Sequence, residues 1–238
     1  RGCGARRMTP PSLEGLLRDG LAALGLALPD DAVRRLLAYL EALARWNRVY
    51  NLTAVRAPAE MLTQHLLDSL AVVAPLRRQL GWSDDAPSGV VAAPSMARVL
   101  DVGSGGGLPG VVLAIACPAC AVTCVDTVAK KAAFITQVAA TLGLPNLRGV
   151  HARVETLAQP FDVVVSRAFA SLADFVALSR GCLAPGGVWM AMKGRVPHDE
   201  IAALPRDVEV FHVEPLSVPG LDAERCLVWM RPAAVDSP

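Results

Sequence analysis

Between Val99 and Gly110 a short hydrophobic run ends in Asp101 and gives way at once to five glycines (Gly103, Gly105, Gly106, Gly107 and Gly110) before apolar sequence resumes. Few folds have a use for such a segment. Glycine is required where the backbone turns with positive φ or where a ligand must approach with no Cβ in the way. A plain strand-to-helix turn does not need five. In an open α/β sheet the turn after the first strand lies at the carboxyl edge, where ligands bind. The stretch therefore predicts a buried strand, a ligand-facing loop and a helix.

The residues that follow keep an alternating rhythm. Arg98 to Asp101, Ala121 to Asp126, Leu147 to Val150, Phe161 to Ser166 and Gly187 to Met192 read as short buried strands. Helical stretches lie between them, including Leu108 to Ala116 and Ala129 to Leu142. This is the pattern of βαβ units and an α/β fold with a mostly parallel sheet flanked by helices. Val208 to Val213 and Cys226 to Met230 read as two late strands.

Upstream the periodicity is helical: Leu13, Leu16, Leu17, Leu21 and Leu24 recur at three and four residues, and Val33, Leu36, Leu37, Leu40 and Leu43 repeat the theme. Pro29-Asp30-Asp31 starts a second helix, with acids where the dipole favours them. A third is expected from Ala57 to Ala74, with Pro58 in its first turn. Trp46 and Tyr50, one turn apart, are expected to form core between these helices and the sheet. Trp82 to Met96 is rich in Pro, Ser, Gly and Ala and reads as a linker. The expected organisation is a flexible tail at 1–11, a helical N-terminal extension at 12–82, a linker loop at 83–96, the α/β core at 97–232 and a tail at 233–238.

Composition narrows the class. With 53% hydrophobic and 19% charged residues the chain is core-forming, not disordered. Apolar stretches such as Val111 to Cys120 are interrupted and too short to span a bilayer, and the basic start lacks the apolar segment of a secretory signal. A cytoplasmic protein without a membrane partner is expected. Cys117 and Cys120 have C-x-x-C spacing, but no second pair accompanies them and zinc usually asks for four ligands. The pair also ends a helix, where the dipole does not activate a thiol. No metal is expected, and both cysteines read as small buried hydrophobes. The 23 basic and 22 acidic side chains, net charge +1, give no broad field for nucleic acid. Local patches such as Arg34-Arg35, Arg45 with Arg48, Arg77-Arg78 and Lys130-Lys131 read as solvated helix faces. Charge alone does not identify RNA as a partner.

Two ligand classes compete for the glycine loop. Gly105-x-Gly107-x-x-Gly110 fits the dinucleotide fingerprint, in which a helix N-terminus meets pyrophosphate. Asp101-x-Gly103-x-Gly105-x-Gly107 fits the loop that cradles S-adenosylmethionine, a phosphate-free nucleoside with a sulfonium and an amino acid tail. Asp126, at the end of the second strand, suits ribose hydroxyls in either case. A further polar site after the third strand, Arg153-Val154-Glu155, and the turn Leu183-Ala-Pro185-Gly186-Gly187 before the fifth favour the methyl donor. On this reading Gly103, Ser104 and Gly105 line the cofactor. A nicotinamide-dependent oxidoreductase or a non-catalytic nucleotide-binding module stays open.

Several further segments occur in order between about Leu13 and Met230: Trp46-Asn-x-x-Tyr50-Asn51-Leu52-Thr53, His65-x-x-Asp68-Ser69, Ser166-Arg167-Ala168-Phe169-Ala170, Met192-Lys193-Gly194 and Leu221-Asp-x-Glu224-Arg225-x-Leu-Val228. In these and in the glycine loop the chain resembles the RsmG (GidB) family of bacterial ribosomal RNA guanine-N7 methyltransferases. It departs from the family at its ends and in a longer stretch from Trp82 to Met96. The resemblance implies a class I (Rossmann-like) methyltransferase using S-adenosylmethionine on 16S ribosomal RNA of the small ribosomal subunit. It implies that Gly103, Leu108, Val154, Glu155 and Arg167 contact the cofactor and that Asp126 holds its ribose.

The residues agree with that chemistry. Methylases of exocyclic amines often carry an Asn/Asp-Pro-Pro-Tyr motif after the fourth strand, and carbon-5 methylases a cysteine; Ser166-Arg-Ala-Phe-Ala is neither. Guanine N7 already offers an in-plane lone pair, so no catalytic base is needed and orientation can supply up to about 7–11 kcal/mol. Arg167, Lys193 and Arg225 are the positioning candidates, and His65, Asp68, Arg153, Lys193 and Arg225 the RNA-binding ones. Arg225 reads equally as half of a surface ion pair with Glu224 or Asp222, His65 reads first as a structural tie between extension and core, and Phe169 fits either base stacking or packing. A methyltransferase of small molecules or proteins, favoured by the near-zero net charge, is the alternative. A monomer is expected.

Overall fold

The computed structural model describes residues 12–50, 54–82, 96–169 and 171–234. The expected tail at 1–11, nearly all of the expected linker, and the motif residues Asn51, Leu52, Thr53 and Ala170 lie outside the described residues.

Seven strands form one sheet among the described residues, in the order β3-β2-β1-β4-β5-β7-β6. They are β1 (Ala97–Val102), β2 (Cys120–Asp126), β3 (Leu147–His151), β4 (Phe161–Arg167), β5 (Leu183–Lys193), β6 (Val208–Pro215) and β7 (Cys226–Pro232). β1 to β5 pair in parallel, and β7 runs antiparallel between β5 and β6. Most of the central parallel strands are near-continuous apolar runs, as strands covered on both faces must be. β5 begins earlier than its sequence suggests. Leu183 pairs with Phe161 and the register then shifts before Val163 meets Val188, so the Pro185-Gly186-Gly187 turn becomes an irregularity inside the strand.

Helices α1 (Leu13–Ala23), α2 (Asp30–Tyr50), α6 (Gly110–Ala116) and α7 (Ala129–Thr141) stand close to expectation. Ser12 caps α1 by accepting the Gly15 N–H. α6 starts two residues late, because Leu108 precedes Pro109 and such a residue is driven out of the α region. The single helix expected from Ala57 to Ala74 is not one helix. It divides into α3 (Pro58–Met61), a π-helical segment (Leu62–Leu67), α4 (Asp68–Leu70) and, after a turn at Ala71 and Val72, α5 (Val73–Gln79). The turn places Pro75 in the first turn of α5, where its missing N–H leaves no bond unmade. α8 (Leu172–Ser179) and α9 (His198–Ala202) follow β4 and β5.

The core lies on both faces of the sheet. On one face the leucines of the extension, among them Leu17, Leu36, Leu43, Leu66 and Leu70, share a continuous cluster with Val111 and Leu113 of α6 and Phe134 of α7. On the other, α8 packs Phe175 and Val176 against Trp189 and Leu100. Trp46 joins the first cluster against Phe134, ring centres 5.0 Å apart. Tyr50 does not become core: at the end of α2 it is 41% exposed, one face against Trp46 and the Lys130 ammonium over its ring. Among the described residues no helix is long and apolar enough to cross a membrane.

Candidate active site

β1 and β4 are neighbours, yet their chain continuations run to opposite sides of the sheet. The carboxyl ends of these strands therefore open a crevice at the point where strand order reverses. The glycine loop fills its floor. Gly103 and Ser104 both donate to the Val125 carbonyl, at 2.9 and 3.2 Å, and the Gly107 N–H donates to Ser104 at 2.7 Å. Gly105 has φ +57° and Gly107 +91°. The glycines serve different ends. A Cβ on Gly107 would fall 2.4 Å from Val111, and one on Gly110 2.4 Å from the Cys124 sulfur, so these two permit close helix packing. Around Gly103 and Gly105 the same construction meets nothing closer than 3.9 Å, which leaves open floor.

Asp126 stands at the rim of this floor, itself buried. Its Oδ2 accepts the Gly105 N–H at 3.0 Å, its Oδ1 accepts the Val128 N–H at 2.9 Å, and the Lys131 ammonium lies 3.5 Å away. Val102, Gly103, Val154, Glu155 and Phe169 complete a cleft of 390 Å³ around it, within the usual range for small-molecule sites. Arg153 sits at the mouth, its side chain 78% exposed and 3.9 Å from Glu155. Ser104 and Leu108 are buried behind the loop. Asp101 lies beneath it, fully buried, with Oδ2 accepting the Gly110 N–H at 2.8 Å and Oδ1 without a hydrogen-bond partner among the described residues. Burial pushes its carboxyl up to about 7, against the opposing pull of the Gly110 bond and the Arg167 charge.

A second cleft, of 340 Å³, opens on the other side of the residues that end β4. At its centre the buried Asp68 carboxylate accepts from two arginines: Oδ1 from Arg225 Nε at 2.7 Å and Oδ2 from Arg167 Nη1 at 3.1 Å. Arg167 also donates to the Gln64 carbonyl at 3.1 Å, and Arg225 to the Glu224 carbonyl at 2.8 Å. Arg225 thus turns to Asp68 and not to the side chains of Glu224 or Asp222. Lys193 lines the same cleft, its ammonium 2.7 Å from Glu200, which also accepts the Leu172 N–H at the start of α8. His65 is buried beside them; desolvation first, then the Arg167 charge, lowers its pKa, so the ring is neutral near pH 7.

Two backbone irregularities hold this second site. The π-helical segment carries His65 and ends just before Asp68, and such segments recur at functional sites. Ala168, between Arg167 and Phe169, is the one non-glycine with positive φ among the described residues, at 61°. That conformation sends Arg167 and Ala168 to the second cleft while Phe169 faces the first, where it rests 5.6 Å from Phe175.

Of the sequence candidates, Gly103, Asp126, Val154, Glu155 and Arg153 gather at the first cleft, and His65, Asp68, Arg167, Lys193 and Arg225 at the second. Arg167, expected with the cofactor group, lines the neighbouring cleft because β4 ends between the two. Sequence reading missed Glu200, which nothing in its local pattern marks, and read Lys130-Lys131 as a solvated helix face, whereas Lys131 pairs with Asp126. Cys117 and Cys120 are buried, and among the described residues no group of three or more His, Cys, Asp or Glu could hold a metal ion.

The sequence profile of rRNA small subunit methyltransferase G matches residues 32–228. A ribosomal RNA small subunit methyltransferase G from Acidovorax sp. (strain JS42) is 66% identical over 223 residues, covering 94% of this chain and 97% of that protein. Its counterpart from Polaromonas naphthalenivorans (strain CJ2) is 59% identical over 226 residues, covering 95% and 99%. Among solved structures, the glycopeptide N-methyltransferase MtfA complexed with sinefungin superposes with a TM-score of 0.55 at 14% identity, covering 76% of this chain and all of that one. TrmN from Thermus thermophilus gives 0.51 at 20%, covering 72% and 53%. These two share the fold.

Proposed function

The chain belongs to the rRNA small subunit methyltransferase G (GidB) family, and on that premise we propose that it transfers a methyl group from S-adenosylmethionine to N7 of a guanine in 16S ribosomal RNA of the small ribosomal subunit. The observation that carries the reading is the pairing of clefts across the end of β4. One is floored by open glycines with the Asp126 carboxylate at its rim; the other is lined by two arginines that share one carboxylate. A nucleoside cofactor fits the first and an anionic polymer the second.

The first cleft suits the cofactor on its own chemistry. A carboxylate has about four acceptor positions, and the two backbone N–H groups on Asp126 leave room for both ribose hydroxyls. Gly103 and Gly105 form the floor, Ser104 and Leu108 support it from behind, and Val154 with Glu155 flanks the adenine. When bound, S-adenosylmethionine supplies an electrophilic methyl on a cationic sulfur. Arg167, which the family resemblance implies contacts the cofactor, stands at the end of β4 and lines the second cleft.

On the substrate side Asp68 neutralises one of its two arginines, which leaves positive charge for a phosphate. Arg225 and Lys193 are the contacts, with Arg153 reaching RNA at the outer mouth. Neutral His65 can accept or donate a hydrogen bond to an unstacked base without adding charge. No side chain needs to remove a proton, because N7 presents its lone pair directly, so the work of these residues is orientation. Both clefts are completed by side chains of one chain, which supports a monomer as the working unit, and the ribosomal substrate supports action in the cytoplasm.

Incubating the purified chain with methyl-labelled cofactor and small subunits carrying unmodified rRNA tests the reading. Nucleoside analysis is expected to return 7-methylguanosine. Any other methylated nucleoside, or label on ribosomal protein, would reject the assignment.

A further inference from the structure

The N-terminal extension touches the glycine loop directly, through a residue that neither the charge pattern nor the family segments single out. Tyr39, in the middle of α2, is fully buried, and its hydroxyl donates to the Gly106 carbonyl at 2.6 Å across 67 positions of sequence. Burial raises the phenol pKa well above its ordinary value, so the hydroxyl keeps its proton and remains a donor. One turn along the same helix Leu43 packs on the same glycine: a Cβ on Gly106 would lie 2.7 Å from Leu43 Cδ1. Phe134 stands 6.5 Å from the Tyr39 ring, and Trp46 backs Phe134 at 5.0 Å.

The position of Gly106 gives this contact its meaning. Its carbonyl shares a rigid peptide plane with the Gly107 N–H, and that N–H donates to Ser104 at 2.7 Å. One end of the plane is therefore held within the loop and the other by the extension. On the N-terminal side of Gly106, the Gly105 N–H holds the Asp126 carboxylate at 3.0 Å. A loop free to rotate about Gly105 and Gly106 would let that carboxylate turn out of register with the cleft.

We propose that Tyr39 is a positioning residue for the methyl donor: its hydroxyl fixes the Gly106–Gly107 plane so that Gly105 aims Asp126 into the first cleft, which makes cofactor affinity depend on the extension. The inference rests on the reading of that cleft as the S-adenosylmethionine site. A side chain that only packs would contribute to stability and leave affinity alone, and this difference can be measured.

The test compares the full-length chain with Tyr39→Phe, which removes the hydroxyl and keeps the ring, and with Phe134→Leu, which loosens the same packing and leaves the hydroxyl in place. S-adenosylhomocysteine affinity is read by isothermal titration and stability by thermal unfolding. Loss of one buried hydrogen bond weakens binding roughly 3- to 10-fold in Tyr39→Phe, with KM for the cofactor rising in step and kcat at saturating cofactor within about twofold of wild type. Phe134→Leu lowers Tm and holds affinity within about twofold. Unchanged affinity in Tyr39→Phe overturns the proposal, and so does a loss in Phe134→Leu that matches it degree for degree of Tm. A wild-type chain that does not bind S-adenosylhomocysteine would take the cofactor reading down as well.

Discussion

Around Asp126 the hydrogen bonds come from backbone amides close in sequence, Gly105 at 21 positions and Val128 at two, with the Lys131 ammonium 3.5 Å away. Around Asp68 they come from side chains 99 and 157 positions away, Arg167 and Arg225. The first cleft is floored by backbone, with its charged side chains set around the rim; the second is built of side chains gathered on one buried carboxylate. The difference agrees with what the proposed function asks each to hold. A nucleoside cofactor needs close approach and a few fixed acceptors, which glycine and one carboxylate supply. A nucleic acid brings phosphates, which are met by arginine and lysine. The Asp68 carboxylate is met by two arginines, whereas charge on Asp101 beneath the first cleft is opposed by burial.

That last contrast yields the largest expected effect. The Asp101 carboxyl is pushed up to about 7 by burial, so the folded chain holds its proton at pH values where the unfolded chain has lost it. Its contribution to stability is full below about pH 4 and is lost as pH rises to about 7, roughly 4 kcal/mol at 1.4 kcal/mol per pH unit. Asp101→Asn removes this slope; urea unfolding of both proteins from pH 4 to 8 should show the gap between them closing or reversing across that window. Parallel curves would mean that the carboxyl is ionised throughout.

Asp68→Ala breaks the second cleft from its centre. Removing the shared carboxylate leaves two arginines facing each other, at a cost of about 3 kcal/mol, near the lower end for a broken buried pair because both arginines keep some contact with water. Affinity for S-adenosylhomocysteine should move far less than affinity for small subunits. Equal losses in the two would show that the clefts are not separable.

Gly105→Val attacks the first cleft instead. The added side chain meets open floor and a φ of +57°, so the chain folds with a strain of about 1–3 kcal/mol while the cofactor's place is taken. Cofactor binding should fall by roughly 100-fold, about 2.7 kcal/mol, with circular dichroism unchanged. Arg225→Ala is the mildest of the set. Weakened binding to small subunits is expected, about 1–2 kcal/mol, with the salt dependence reduced by about one phosphate contact, and cofactor affinity within twofold.

The same contrast decides what could be read from the sequence. The glycine spacing around Gly103 to Gly110 records a backbone path, and Asp126 sits at the end of an apolar strand, so the first cleft was legible in local residues. The alternation of strands and helices likewise carried the sheet, except at β5, where Pro185-Gly186-Gly187 looks like a boundary but stays within the strand, and at α3 to α5, where helical periodicity hides a π-turn and a break before Pro75. The second cleft was legible only as a set of motif residues. Nothing local indicates that Arg225 turns to Asp68 and away from neighbouring acids, because that choice is made by tertiary packing of the extension. Tyr39 shows the limit most clearly. Its place beside Leu36, Leu40 and Leu43 marks it as core, and no pattern records that its hydroxyl reaches Gly106.

The division of labour between the clefts is tested most directly by a crystal structure of the full-length chain with S-adenosylhomocysteine. The ribose hydroxyls are predicted on the Asp126 carboxylate, with the adenine beside Val154 and Glu155 and the space between His65, Lys193 and Arg225 left clear. Adenosine seated among those three side chains, or lying away from Gly103 and Gly105, would contradict the account.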